Sequence, residues 1–184
     1  LVLLMLGGFI LAAALERSGA HRRISLYMVR AFGVTSPRRL VFGFMCASAF
    51  LSMWISNTST TLMLLPVALA ALEKTDDMNL SGPLLLGIAY AASIGGIGTP
   101  IGTPPNMVFM GVYTEVTGGA VSFGQWMLWA IPVVLILLPI AGLWITRGVS
   151  KSGGVVLPEA EAWSTAERRA VSYTHLRAHE TRPY

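Results

Sequence analysis

Two short stretches of this chain place polar groups in the middle of long apolar blocks. The first is Ser56-Asn57-Thr58-Ser59-Thr60-Thr61, with Ser52 four residues ahead of Ser56. The second runs from Gly95 and Gly96 through Gly98, Thr99, Pro100, Gly102 and Thr103 to Pro104, Pro105 and Asn106. No Asp, Glu, Lys, Arg or His occurs between residues 40 and 72 or between 83 and 114, so any chemistry here rests on hydroxyls, amides and backbone. A helix that starts at such a break aims unpaired N–H groups and a positive dipole end at whatever lies there. A helix that ends there presents unpaired carbonyls, which suit a hard cation such as Na+. An anion and a cation can thus be held together without any charged side chain. Ser52 and Ser56, four apart, are expected on one face of a helix.

The surrounding elements read as membrane helices. The 184 residues are 54% hydrophobic and 12% charged, with a mean hydropathy of +0.64, whereas a soluble domain carries about 25% charged residues. Residues 1–15 read as the remainder of a transmembrane helix. Residues 16–39 are basic and amphipathic, as for a cytoplasmic interfacial helix or loop. Residues 40–72 hold no charge, but the polar knot at 56–61 divides them into arms of 16 and 11 residues. A crossing needs roughly 20. A re-entrant helical hairpin with the Ser-Asn-Thr tip at depth satisfies both facts, provided that the tip is buried in protein or lines a cavity. Residues 80–116 form a broken transmembrane helix, because four glycines and three prolines within residues 95–106 cannot continue a regular helix. Thr103 is the expected N-cap of the resumed arm, with Pro104 at its first position. Residues 123–146 are an ordinary span, with Trp126, Trp129 and Trp144 near its ends. Residues 147–170 follow as a cytoplasmic linker. The polar residues 171–184 fit no membrane pattern and resemble translated sequencing-adapter read-through. The expected fold is therefore an all-α polytopic membrane protein, the half of a transporter that carries one hairpin and one broken helix.

Charge placement agrees with this topology. Arg17, Arg22, Arg23, Arg30, Arg38 and Arg39 crowd one connection, which is the positive-inside pattern rather than a nucleic-acid groove. Lys74, Arg147 and Lys151 fall on the same side when the hairpin returns to the face it left. Residues 114–122 contain no Lys or Arg. The lone Cys46 sits in an apolar run and cannot form an internal disulfide, and the three histidines lie outside the apolar segments. Both ends read as cut, so the chain reads as a fragment of a longer protein.

Two interrupted hydrophobic segments close together point to a transporter binding site. Proton relays use intramembrane carboxylates or histidines, so coupling through these segments favours a metal ion. The stretches SMWISNTSTTLMLLP (residues 52–66) and ASIGGIGTPIGTPPN (residues 92–106) together resemble the divalent anion–sodium symporter family, whose members carry dicarboxylates, citrate or sulfate. GGFILAAALERSGAHRRISL (residues 7–26) looks like the same family's stretch before its first hairpin. The resemblance covers residues 1–169. It implies a first sodium site built from the Ser52 and Ser56 hydroxyls, Asn57 and the Gly102 carbonyl. It implies a substrate carboxylate held by Asn57 and Thr58, with Thr103 nearby. It further implies a homodimer in the plasma membrane, multi-pass, moving its hairpin-bearing part against a dimerising scaffold to import a small dianion with Na+ by alternating access. C4-dicarboxylates such as succinate, malate or fumarate are the expected substrates. The family donates a second Ser-Asn-Thr hairpin from an inverted repeat; this chain has only one, so it holds half a site.

Blander readings stand beside these. Ser52 could bond back to its own helical turn, Asn57 and Thr58 could only cap the second arm, and Gly95, Gly96 and Gly98 read better as close helix packing. The glycine run lacks the lysine and strand of a phosphate loop. A sodium-independent anion exchanger or arsenite-type permease is the main functional alternative. A membrane enzyme would need a nucleophile–base pair or metal ligands at membrane depth, which the apolar segments lack. A channel is the third rival.

Overall fold

The computed structural model describes residues 6, 7, 10, 14, 36–73 and 79–149, and among them every regular element is helical. Most of the expected interfacial segment at 16–39, most of the first span, the Lys74 loop and the residues after 149 lie outside this set; the described end of that segment, residues 36–39, opens the helix Pro37–Ser52 instead. Residues 6, 7, 10 and 14 are helical, and the described residues from 36 onward form α1 Pro37–Ser52, α2 Asn57–Leu72, α3 Ser81–Gly96, α4 Pro104–Thr117 and α5 Phe123–Ile145, with a 3-10 turn at Thr146–Gly148.

Local chemistry accounts for where they start. Ser36 caps α1 by accepting from the Arg39 amide, and Pro37 stands where a missing N–H costs nothing. Ser56 caps α2 through the Ser59 amide at 3.2 Å. Ser122 caps α5 through the Gln125 amide at 3.2 Å. At the far end of α4, Gly118 adopts φ 69°, the left-handed conformation that closes a helix and suits glycine.

The polar knot is thereby relocated. Residues 57–61 were expected to interrupt the chain, but they form the opening turns of α2, and the break lies at residues 53–56. The reason is the Ser56 cap: once it satisfies an end amide, the next polar residues sit where Ser, Thr and Asn are well tolerated. Both arms are 16 residues long, each still short of the roughly 20 that a crossing needs. Likewise Gly95 and Gly96 continue α3, and the second break occupies residues 97–103.

Packing then sets the direction of the arms. The core gathers Leu40, Val41, Phe44, Met45, Leu64, Leu84 and Ile88, all essentially inaccessible. The most extensive interface joins α1 and α3. Gly87 lies against Val41 and Met45, the Ser48 hydroxyl donates to the Ile88 carbonyl at 2.8 Å, and Gly95 lies against the Ala49 backbone. These contacts advance together along both helices, so α1 and α3 run in the same sense and end side by side. A side chain at Gly95 would bring its Cβ within 2.1 Å of the Ala49 carbonyl oxygen. Small residues allow this approach of two backbones.

Helix α5 runs the opposite way. Phe42 packs on Gly142, and Arg38 donates to the carbonyls of Val149 and Arg147, at 3.0 and 3.3 Å. At 23 residues α5 is about 35 Å long. With the 3-10 turn it is the one helix among the described residues long and apolar enough to cross a membrane, with a hydropathy of 2.4.

Candidate functional site

Because α1 and α3 end side by side, the two chain breaks meet. Ser52, the last residue of α1, is fully buried, and its hydroxyl donates to Asn57 Oδ1 at 2.5 Å. Asn57 opens α2 and lies half-buried over the end of α3. A Cβ on Gly96 would fall 2.6 Å from Asn57 Oδ1. Gly102 completes the cluster from the second break. A Cβ there would come within 2.5 Å of the Gly96 carbonyl oxygen and 3.0 Å of the Ser52 carbonyl oxygen. The terminal carbonyls of α1 and α3 therefore flank one glycine, where only a bare backbone fits.

Other bonds hold the second break against the first. The Thr99 hydroxyl, fully buried, donates to the Met53 carbonyl. Gly98 lies under the Met53 side chain. The Asn106 side-chain amide donates to the carbonyls of Gly96 and Thr99, each at 2.8 Å. The Trp126 indole donates to the Ile97 carbonyl at 2.9 Å, tying the break to α5.

The electrostatics come from helix ends alone. The C-termini of α1 and α3 bring partial negative charge to the Ser52–Gly96–Gly102 cluster, and the start of α2 brings partial positive charge beside it. The start of α4 is poorer in donors than a typical helix start. Its first two residues are prolines without an N–H, and the Asn106 amide bonds to the Thr103 carbonyl at 3.1 Å. The oxygens of Ser52, Asn57 and the Gly96 and Gly102 backbone are hard donors, of the kind that bind small hard cations. Gly102, lacking a side chain, lets the backbone of the second break lie directly against the Ser52 and Gly96 carbonyls. The residues present fit a cation such as Na+.

Of the residues singled out from the sequence, the structure gathers Ser52, Asn57 and Gly102. It separates Ser52 from Ser56. These were expected on one helical face, but Ser52 ends α1, Ser56 caps α2, and the bend between them breaks the helical register. Ser56 is exposed, and its hydroxyl also donates to the Ser59 hydroxyl at 2.9 Å. Thr58 is exposed on the first turn of α2. Thr103 occupies the N-cap position of α4 in extended conformation, but its side chain makes no cap bond. Thr99 and Asn106 were missed as site-forming residues. The available signal was a carboxamide just after two prolines in an otherwise apolar run.

Comparison with known proteins places this geometry in context. Residues 1–175 match the family described as Citrate transporter. The chain is similar to the sodium-dependent dicarboxylate transporter SdcS of Staphylococcus saprophyticus, at 38% identity over 169 residues, 86% of this chain and 32% of that protein. It is equally similar to the sodium-dependent dicarboxylate transporter SdcS of Staphylococcus aureus (strain NCTC 8325 / PS 47), at 38% identity over 156 residues, 79% of this chain and 30% of that protein. The chain thus spans about a third of the length of the curated relatives it matches.

Proposed function

The chain belongs to the citrate transporter family, whose members are membrane transporters rather than enzymes, and on that premise we propose that the whole protein couples Na+ to the uptake of a dianion, a C4-dicarboxylate such as succinate. The observation that carries this reading is the meeting of Ser52, Asn57 and Gly102 at two helix ends, without a charged side chain among them. Two converging carbonyl ends favour a small cation. The adjoining start of α2, with Asn57 and Thr58 on its first turn, favours a carboxylate. Thr103, whose hydroxyl is not spent on a cap, is taken in this reading to bond the same substrate. The relatives' names supply the substrate class and the coupling ion.

In this reading α1 and α2 form a re-entrant hairpin, α3 and α4 one broken crossing, and α5 a full crossing of the plasma membrane. The whole protein is a multi-pass homodimer that works by alternating access. Its remaining portion supplies the other half of the substrate pocket. The cation bridges the two breaks, so its binding and the order of the substrate-side helix start rise together, which is how one solute is linked to the other.

The test is uptake of labelled succinate by the whole protein in proteoliposomes, with an inward Na+ gradient or with K+ in its place. Na+-dependent uptake, competed by malate and fumarate and abolished by Asn57→Ala, is expected. Equal uptake in K+ would overturn sodium coupling in favour of exchange.

A further inference from the structure

The side chain that controls the carbonyls of the second break is Asn106, and the Na+ reading does not use it. It is the third residue of α4, buried to 7% exposure within a helix that is otherwise largely accessible. Its Nδ2 donates one proton to the Gly96 carbonyl, where α3 ends, and one to the Thr99 carbonyl, inside the break. A single amide thus uses both donors on the two sides of one helix interruption. The Gly96 carbonyl it holds is the oxygen closest to a Cβ built on Gly102, and the Gly96 Cα supports Asn57. Gly96 is therefore touched by Asn57, Gly102 and Asn106 together.

Carbonyls left free at the end of a helix must find partners or face water. Three carbonyls here have side-chain donors: Gly96 and Thr99 accept from Asn106, and Ile97 accepts from Trp126. Asn106 differs from Trp126 in that its acceptor belongs to the cation cluster. The two prolines before it explain why the side chain has this task. They remove the backbone N–H groups that would otherwise start α4, leaving the Asn106 carboxamide as the donor that meets the end of α3.

We propose that Asn106 is a positioning residue for the bound cation, fixing the Gly96 carbonyl so that Asn57 and the Gly102 backbone keep the spacing that selects Na+. This rests on the sodium-coupled reading above. Asn106 does not touch the cation. It acts as outer partners of metal ligands do, whose loss typically lowers affinity by roughly 10–100-fold.

The experiment uses the whole protein carrying Asn106→Ala, with two readouts. The first is the half-saturating Na+ concentration for succinate uptake, set against the KM for succinate at saturating Na+. The second, made in detergent without substrate, is the rise in melting temperature as Na+ replaces K+. The expected result is a rise in half-saturating Na+ of about tenfold or more, loss of most of the Na+-induced thermal shift, and a KM at saturating Na+ within about threefold of the parent. Lower maximal uptake with an unchanged Na+ titration and thermal shift would overturn the proposal, since that is what a purely structural bond would produce. If Asn106→Ala is not recovered from the membrane, Asn106→Ser keeps one donor and is judged by the same Na+ titration. Absence of Na+ dependence in the parent protein would instead defeat the sodium reading itself, so the two failures are distinguishable.

Discussion

The two chain breaks do the same geometric work by different means. The first, residues 53–56, is closed locally: Ser56 caps the next helix three residues on, and Ser52 reaches Asn57 five residues on. The second, residues 97–103, turns locally through the Gly98 N–H to the Gly95 carbonyl and the Gly102 N–H to the Thr99 carbonyl, but has no side-chain cap at Thr103 and takes its side-chain bonds from further away. Thr99 bonds across to Met53, Asn106 bonds back to Gly96 and Thr99, and Trp126 comes from another helix. A break rich in Gly and Pro has few side chains of its own with which to satisfy its carbonyls, so its neighbours must do so. The lesson is that a polar break supplies its own side-chain partners, whereas a glycine–proline break borrows most of them from its neighbours.

That contrast can be broken most severely at the contact that brings the breaks together. Gly95→Ala places a methyl against the Ala49 backbone, where neither helix can yield without separating from the other. We expect a loss of roughly 3 kcal/mol or more, with thermal unfolding of the detergent-solubilised protein shifted strongly downwards. Recovery of a protein of parental melting temperature would show that α1 and α3 do not depend on this approach.

A smaller effect separates local from distant closure. Ser56→Ala removes a cap with two bonds and should destabilise by about 1 kcal/mol. Thr103→Ala removes a side chain that makes no cap bond, so melting should hardly move while succinate uptake falls. Parallel melting curves and uptake assays on the two variants decide it; a destabilised Thr103→Ala protein would erase the distinction. The same Ser56 variant tests its assignment as a cation ligand. A shifted Na+ titration would place its hydroxyl in the cation shell despite the cap.

The smallest expected effect lies one turn along α2. The Thr60 hydroxyl is the one buried side-chain polar atom among the described residues without a hydrogen-bond partner. Thr60→Val keeps the shape and removes the unsatisfied group. It should raise stability by up to about 1 kcal/mol, with uptake unchanged. Loss of uptake instead would show that the hydroxyl serves the solute path.

Much of the architecture was legible in the residues. The charge-free blocks, the arms too short to cross, the start of α4 after Thr103 and the long apolar helix α5 all follow from composition and from interactions a few residues apart. The error over residues 57–61 is instructive in the same terms. Six polar residues in a row were counted as a break, but a single serine at position 56 lets the next ones enter a helix. The glycines at 95 and 96 were likewise counted within the break, yet their reading as close helix packing holds. They are helical residues kept small because another backbone, at Ala49, and another side chain, at Asn57, lie against them.

By itself, then, the amino-acid order determined that this is a set of apolar helices with two interior interruptions, because helix starts, caps and hydropathy are short-range properties. Only the tertiary structure decided which oxygens meet. The parallel run of α1 beside α3 brings the Ser52 carbonyl to Gly102, the Asn57 side chain to Gly96 and the Thr99 hydroxyl to the Met53 carbonyl. Those juxtapositions depend on the close fit of surfaces dozens of residues apart, and no local pattern encodes such a fit.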